Sequence, residues 1–149
     1  MKINDTKYIY KVWDTAGQEK FAHMAKSYYQ RAHGIIIACS LDNKNSFNNL
    51  TYWINSIKEN SGTDSIKIIL VANKADLLES REVDAELLKS TADELGTEVF
   101  ETSAQSGRNI EKMFEKMFKT VYETMKDSLM KKGVDINKPQ GERKKKDCC

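Results

Sequence analysis

At 149 residues, 40% hydrophobic and 31% charged, the chain has the size and composition of one globular domain with room for a real core. A net charge of +2 is too small to argue for nucleic acid. No apolar run approaches the ~18 residues of a membrane helix, and Lys2 and Asp5 leave no apolar stretch for a secretory signal. Cys39 lies in an apolar run, while Cys148 and Cys149 are the last two residues; this is no disulfide framework and fits a reducing compartment.

In chain order, Asn4-Asp5 is a turn signal that hairpins a strand ending near Ile3 onto a strand over Lys7–Trp13, where aromatic and β-branched residues dominate. Phe21–Gln30 reads as a short, mobile helix. Gly34–Leu41 is continuously apolar, the pattern of a strand buried on both faces. Phe47, Leu50, Trp53, Ile54 and Ile57 give Asn45–Asn60 helical spacing, and Ser61-Gly62 ends it. Ile66–Ala72 is another buried strand. Asp84 caps a helix carrying Leu87, Leu88, Ala92 and Leu95, which Gly96 stops. Glu98–Thr102 is a short strand, and Asn109 caps a last helix with an apolar stripe from Ile110 to Leu129. Strands alternate with helices, so the class is α/β with a mostly parallel sheet.

Chemistry concentrates just beyond the strand ends. In Trp13-Asp14-Thr15-Ala16-Gly17-Gln18-Glu19, an Asp can hold Mg²⁺ directly or through water, a Gly can bring its amide against a phosphate, and a Gln can orient a water for in-line attack. A lone Asp-x-x-Gly would be an ordinary strand-to-turn junction; the seven-residue string is more specific. It resembles the second switch of Ras-like small GTPases. The Trp before the Asp, with Lys20-Phe21, Ser27-Tyr28-Tyr29 and Ala32-His33-Gly34, is similar to the Rab branch. The resemblance implies a three-layer P-loop NTPase (small G-protein) fold and GTP or GDP with Mg²⁺. By it, Asp14 holds the metal through water, Gly17 contacts the third phosphate and Gln18 is the catalytic residue. Trp13, Phe21 and Tyr28 would face effectors.

Asn73-Lys74-Ala75-Asp76 follows directly on a buried strand and matches the N-K-x-D motif of that family. Alone, such a string would be a solvated turn; its place gives it meaning. A carboxylate accepts from both the ring N–H and the exocyclic amine of guanine, a pairing adenine does not offer. The resemblance assigns that role to Asp76, the loop tie and base edge to Asn73, and the ring face to the Lys74 stem. In Glu101-Thr102-Ser103-Ala104-Gln105, Ser103 and Ala104 match the family's S-A-K loop, whereas Gln105 stands where the family has Lys. The Ala104 amide would meet the guanine oxygen, and the shorter, uncharged Gln105 implies weaker nucleotide binding without loss of guanine selectivity.

From Lys126 onward, eight basic residues face four acidic ones, a net +4. Gly133, Pro139 and Gly141 break the helix, so residues 1–132 form the GTPase domain and 133–149 a flexible basic tail. A solvated tail is the bland reading of Arg143–Lys146. The closing Cys148-Cys149 is similar to the doubly geranylgeranylated end of Rab proteins, which implies lipid anchoring on the cytoplasmic face of endomembranes, cycling with the cytosol.

No G-x-x-x-x-G-K-[ST] string occurs, and the first-switch Thr is absent. The chain therefore reads as an N-terminally truncated domain, about fifty residues short, that lacks its first strand and first helix and binds nucleotide poorly. The expected function is a GTP-hydrolysing switch in vesicle traffic. Its partners would be effectors, exchange factors, GTPase-activating proteins, prenylation escort proteins and GDP-dissociation inhibitors. The alternative is a non-hydrolysing module that competes for effectors or escort proteins.

Overall fold

The computed structural model describes residues 2–3, 6–15, 17, 22–62 and 66–131, with side chains from Tyr8 onward except those of 22–24 and 128–131. The Asn4-Asp5 turn, most of the 16–21 string (Gln18 and Phe21 included), Leu129 of the last helix's stripe and the whole 133–149 tail fall outside that description.

Lys2–Ile3 (β1) pairs antiparallel with Thr6–Lys7 (β2), in the register Lys2↔Lys7 and Ile3↔Thr6. The expected hairpin is there, but its second strand stops early. Residues 8–15 carry no strand, against the expectation for Lys7–Trp13. A strand needs a ladder partner, and among the described residues none lies beside this stretch. Its aromatic residues dock on a helix instead.

Ala22–Tyr29 (α1) leads to Gly34–Ser40 (β3), which pairs in parallel with Lys67–Asn73 (β4) over seven residue pairs, from Gly34↔Lys67 to Ser40↔Asn73. On its other edge, β4 pairs in parallel with Val99–Glu101 (β5), Leu70 opposite Val99. The order β3-β4-β5 makes β4 the central strand, and its apolar run is accordingly buried from Ile69 to Ala72. The expected α/β class with a parallel sheet holds.

Side-chain alternation along the strands builds two cores. Ile37 and Cys39 of β3 and Leu70 and Ala72 of β4 face Ala25 and Tyr29 of α1 and the helix Leu50–Asn60 (α3). The same core takes in Leu88 and Ala92 of Ala85–Glu94 (α4). On the opposite face, Ile69 and Val71 of β4 meet Met113, Met117 and Val121 of Ile110–Lys131 (α5). Leu70 is fully buried, a gain of about 1.5–3 kcal/mol from its side chain alone.

Burial of β3 on both faces holds only in part. Ile37 and Cys39 are buried, but Ala38 is exposed, because the α5-side core reaches Ile36 and stops short of it. Gly34 lets α5 approach: a Cβ there would press on Met117 Sδ and lie 2.8 Å from Val121 Cγ2.

The helix expected over 45–60 is two. Lys44–Asn48 (α2), capped by the Asn43 side chain accepting from the Ser46 amide, gives way at Asn49 to α3. Asp84 stands at the N-cap of α4 without a side-chain cap bond. Gly96 ends that helix as expected: at φ +60° it lets its amide reach Asp93 O (3.0 Å) and the Thr97 amide reach Ala92 O (2.9 Å), a Schellman closure. Asn109 precedes α5 but does not cap it by its side chain, whose Nδ2 donates to Glu101 O at 2.8 Å. Its φ of 57° suits an Asn, which tolerates the left-handed region.

Candidate functional site

All three parallel strands point their carboxyl ends the same way, so the residues that follow them gather at one rim of the sheet. Asn73 ends β4, and Lys74 and Asp76 follow it; Thr102, Ser103, Ala104 and Gln105 follow β5; Asp42 follows β3.

The loops after β4 and β5 are sewn together. The Thr102 amide donates to Ala72 O and the Ala75 amide donates to Thr102 O, each at 2.9 Å. Asn73 Oδ1 accepts from Thr102 Oγ1 at 3.3 Å and from the Ala104 amide at 3.1 Å. That amide was expected to meet a guanine oxygen; here it serves the Asn73 carbonyl, so a base would share or displace that bond. Ser103 is fully buried and shapes the turn: its Oγ accepts from the Ser106 amide at 3.0 Å, and its carbonyl accepts from the Gly107 amide at 2.9 Å. Asp76 is exposed, with its carboxylate free of protein partners among the described residues. Gln105 is exposed beside Ala104.

Lys74 pairs with the acid that follows β3. Its Nζ donates to both oxygens of Asp42, at 2.8 and 3.1 Å, and its backbone takes a left-handed φ of 66°. Asp42 also accepts from Ser40 Oγ. Lys74 first, then Ser40, holds the Asp42 carboxyl below the usual carboxylate range.

Asp14 and Gly17 are exposed; no described hydrogen bond or ion pair joins them to this cluster, and a Cβ on Gly17 would meet nothing within 4 Å. Among the described residues no group of three His, Cys, Asp or Glu could hold a metal. Mg²⁺ takes few protein ligands and keeps waters and substrate phosphates, so a single exposed carboxylate such as Asp14 fits a water-mediated contact.

Trp13 and Tyr28 lie with ring centroids 5.5 Å apart and remain exposed, at 66% and 39%. Ahead of them, Tyr10 stacks on Phe118 of α5 at 4.1 Å and Tyr8 meets Tyr122 edge-on at 5.0 Å.

Sequence reasoning missed three contributors. Asp42 was open to the same argument as Asp14, an acid just past a strand end. Thr102 was visible only as a residue between two motif positions. Arg81, which pairs with Glu101, has no local signal, because the two are distant in sequence.

The family model described as "Ras family" matches residues 1–123. The chain is 45% identical over 103 residues to "Ras-related protein RIC1" of Oryza sativa subsp. japonica, covering 69% of this chain and 50% of that protein. It is 44% identical over 103 residues to "Ras-related protein RABD2a" of Arabidopsis thaliana, with 69% and 50% covered. To "GTP-binding protein YPTM1" of Zea mays it is likewise 44% identical over 103 residues, with 69% and 49% covered. The chain spans about half the length of the curated relatives it matches.

Proposed function

The chain belongs to the Ras family, as a Rab-type small GTPase, and from that premise we propose that it carries the guanine-reading part of a GTP-binding and GTP-hydrolysing switch of vesicle traffic. The observation that carries the proposal is the union of the loops after β4 and β5. Asn73 Oδ1 bridges Thr102 and Ala104, and leaves the Asp76 carboxylate exposed at the same rim.

Asp76 reads the ring N–H and exocyclic amine of guanine. Asn73 ties the loops, and Lys74, once released from Asp42, lies along the base. Ser103 shapes the turn that presents Ala104, and Gln105 flanks the base. Asp14 holds Mg²⁺ through water, and the ion neutralises phosphate charge when nucleotide is bound. Gly17 offers an amide to the third phosphate and Gln18 orients the attacking water. Residues 1–132 are the GTPase domain. Residues 133–149 are a basic tail ending in the lipidation sites Cys148 and Cys149, which hold the protein on the cytoplasmic face of endomembranes. Because no G-x-x-x-x-G-K-[ST] string occurs in the 149 residues, they bind nucleotide weakly by themselves.

The exposed Trp13–Tyr28 pair favours a second reading, a non-hydrolysing module that engages effectors or prenylation escort proteins. The second reading is tested by release and chromatography of nucleotide from the purified chain. Stoichiometric GDP excludes the second reading; the expected result is little or none. Titration with guanosine against adenosine then tests the base site, and equal response to both would refute the guanine assignment.

A further inference from the structure

The chain leaving Asp76 passes through a 3₁₀ turn, Leu78–Ser80, and returns to the sheet at Arg81. There the guanidinium meets Glu101, the last residue of β5, fork to fork: one terminal nitrogen donates to Oε2 at 3.1 Å, the other to Oε1 at 2.5 Å. The remaining Nε donates to Val83 O at 2.7 Å. Val83 is itself fixed: it is fully buried, and its amide and that of Glu82 both donate to Leu41 O, at 3.2 and 2.8 Å. From the other side, the Glu101 carbonyl accepts from Asn109 at the start of α5. Both partners of the ion pair are about three-quarters buried.

The site already has two ties, at Asn73 and at the Thr102 backbone. The Arg81–Glu101 fork is a third. Arg81 ends the loop that bears Asp76, and Glu101 immediately precedes Thr102-Ser103-Ala104. Thus a single planar contact joins the loop holding the candidate base-edge acceptor to the loop holding the candidate base-edge donor. A bidentate guanidinium fixes angle as well as distance, which a lysine point charge does not.

We infer that Arg81 is a positioning residue, acting through Glu101 to hold the Asp76 loop and the Ala104 loop at one spacing. The inference deepens the guanine reading of this rim and rests on it. Without the fork the loops keep their backbone bonds but lose this third tie, so they open together.

The test is hydrogen exchange on the full chain, read at the Ala75 and Ala104 amides, with the Met117 amide of α5 as a control for global folding. The variants are Arg81→Ala, Arg81→Lys, Glu101→Ala and the Arg81→Ala/Glu101→Ala double. Each alanine variant is expected to speed exchange at both amides about tenfold, with Met117 unchanged. The double should exceed neither single, because the two residues act as one, and Arg81→Lys should fall between. Unchanged exchange at Ala75 and Ala104, or single effects that multiply in the double, overturns the inference. If Arg81→Ala does not fold, Arg81→Lys and Glu101→Gln are read by the same criterion. A parallel titration compares guanosine with inosine, which lacks the exocyclic amine. The preference for guanosine should narrow in Arg81→Lys; an unchanged preference counts against positioning. Should the unaltered chain bind neither nucleoside, the guanine reading fails, and exchange alone decides whether the fork couples the loops.

Discussion

Replacing Asn73 by Ala removes one acceptor and strands two donors. Thr102 Oγ1 belongs to a side chain with no exposed surface, and it loses the Asn73 oxygen at 3.3 Å. A buried hydroxyl left unpaired costs about 1–3 kcal/mol. The Ala104 amide, 3.1 Å from the same oxygen, belongs to an exposed residue, so water replaces the bond and the loss is about 0.5–1.5 kcal/mol. The expected destabilisation is therefore roughly 1.5–4.5 kcal/mol, a large share of the ~5–15 kcal/mol that holds a domain together. Asn73→Asp keeps the acceptor and discards only the amide nitrogen, so it should cost less than about 1 kcal/mol at pH 7. The assay is urea unfolding of the three proteins at constant slope, followed by circular dichroism. Equal midpoints for Asn73→Ala and the unaltered chain would refute the reasoning, as would an Asp variant no better than Ala.

Burial pushes the Cys39 thiol up to about 11. A thiol that ionises near 8.5 in the unfolded chain thus stays neutral in the fold; its stabilisation is complete below that value and is lost as pH rises through about 11. The loss, about 3 kcal/mol at the alkaline end, should vanish in Cys39→Val when melts at neutral and alkaline pH are compared. Arg81 holds the Glu101 carboxyl below its ordinary range. Its contribution is present above the unfolded carboxylate value, about 4.3, and fades as pH falls through the lower folded value. Acid titrations of the unaltered chain and Glu101→Gln should therefore converge at low pH. Gly34→Ala forces a methyl against Val121 Cγ2, 2.8 Å from the Cβ position, and should cost about 1–3 kcal/mol in a thermal melt. If Cys148 and Cys149 carry lipid, changing one to Ser should move most of the protein to the cytosol on fractionation, and changing both should abolish membrane association; a double variant still on membranes at high salt places the anchor elsewhere.

The elements legible in the sequence were those whose pattern is local. The apolar runs of β3 and β4 announced themselves, as did Gly96 at the end of α4 and the stripe of α5 from Met113 to Val121; Met125, expected in that stripe, is exposed. The Asn-Lys-Ala-Asp string was expected directly on the end of a buried strand, and β4 ends at its Asn73. What failed depended on partners. Tyr8 and Tyr10 have strand-forming character, but no described strand lies beside them, and their rings settle on Tyr122 and Phe118 of α5. Asn109 has capping character, yet Glu101 O claims its side chain. In each case a residue with a correctly read local preference was taken up by a group remote in sequence, which no window of neighbours reveals.

The α5 side of the core rests on two thioethers, Met113 and Met117, packed on Ile69 and Val71. Unbranched and polarisable, they fill that irregular space well, but they are also oxidisable. While α5 is docked, their burial denies peroxide access to the sulfur atoms. Each transient opening of the helix admits it, and a sulfoxide then carries a polar oxygen back toward a face made of Ile and Val. An equilibrium fluctuation becomes a lasting covalent mark, so the rate at which these two methionines oxidise is a clock for how often the helix lifts from the sheet.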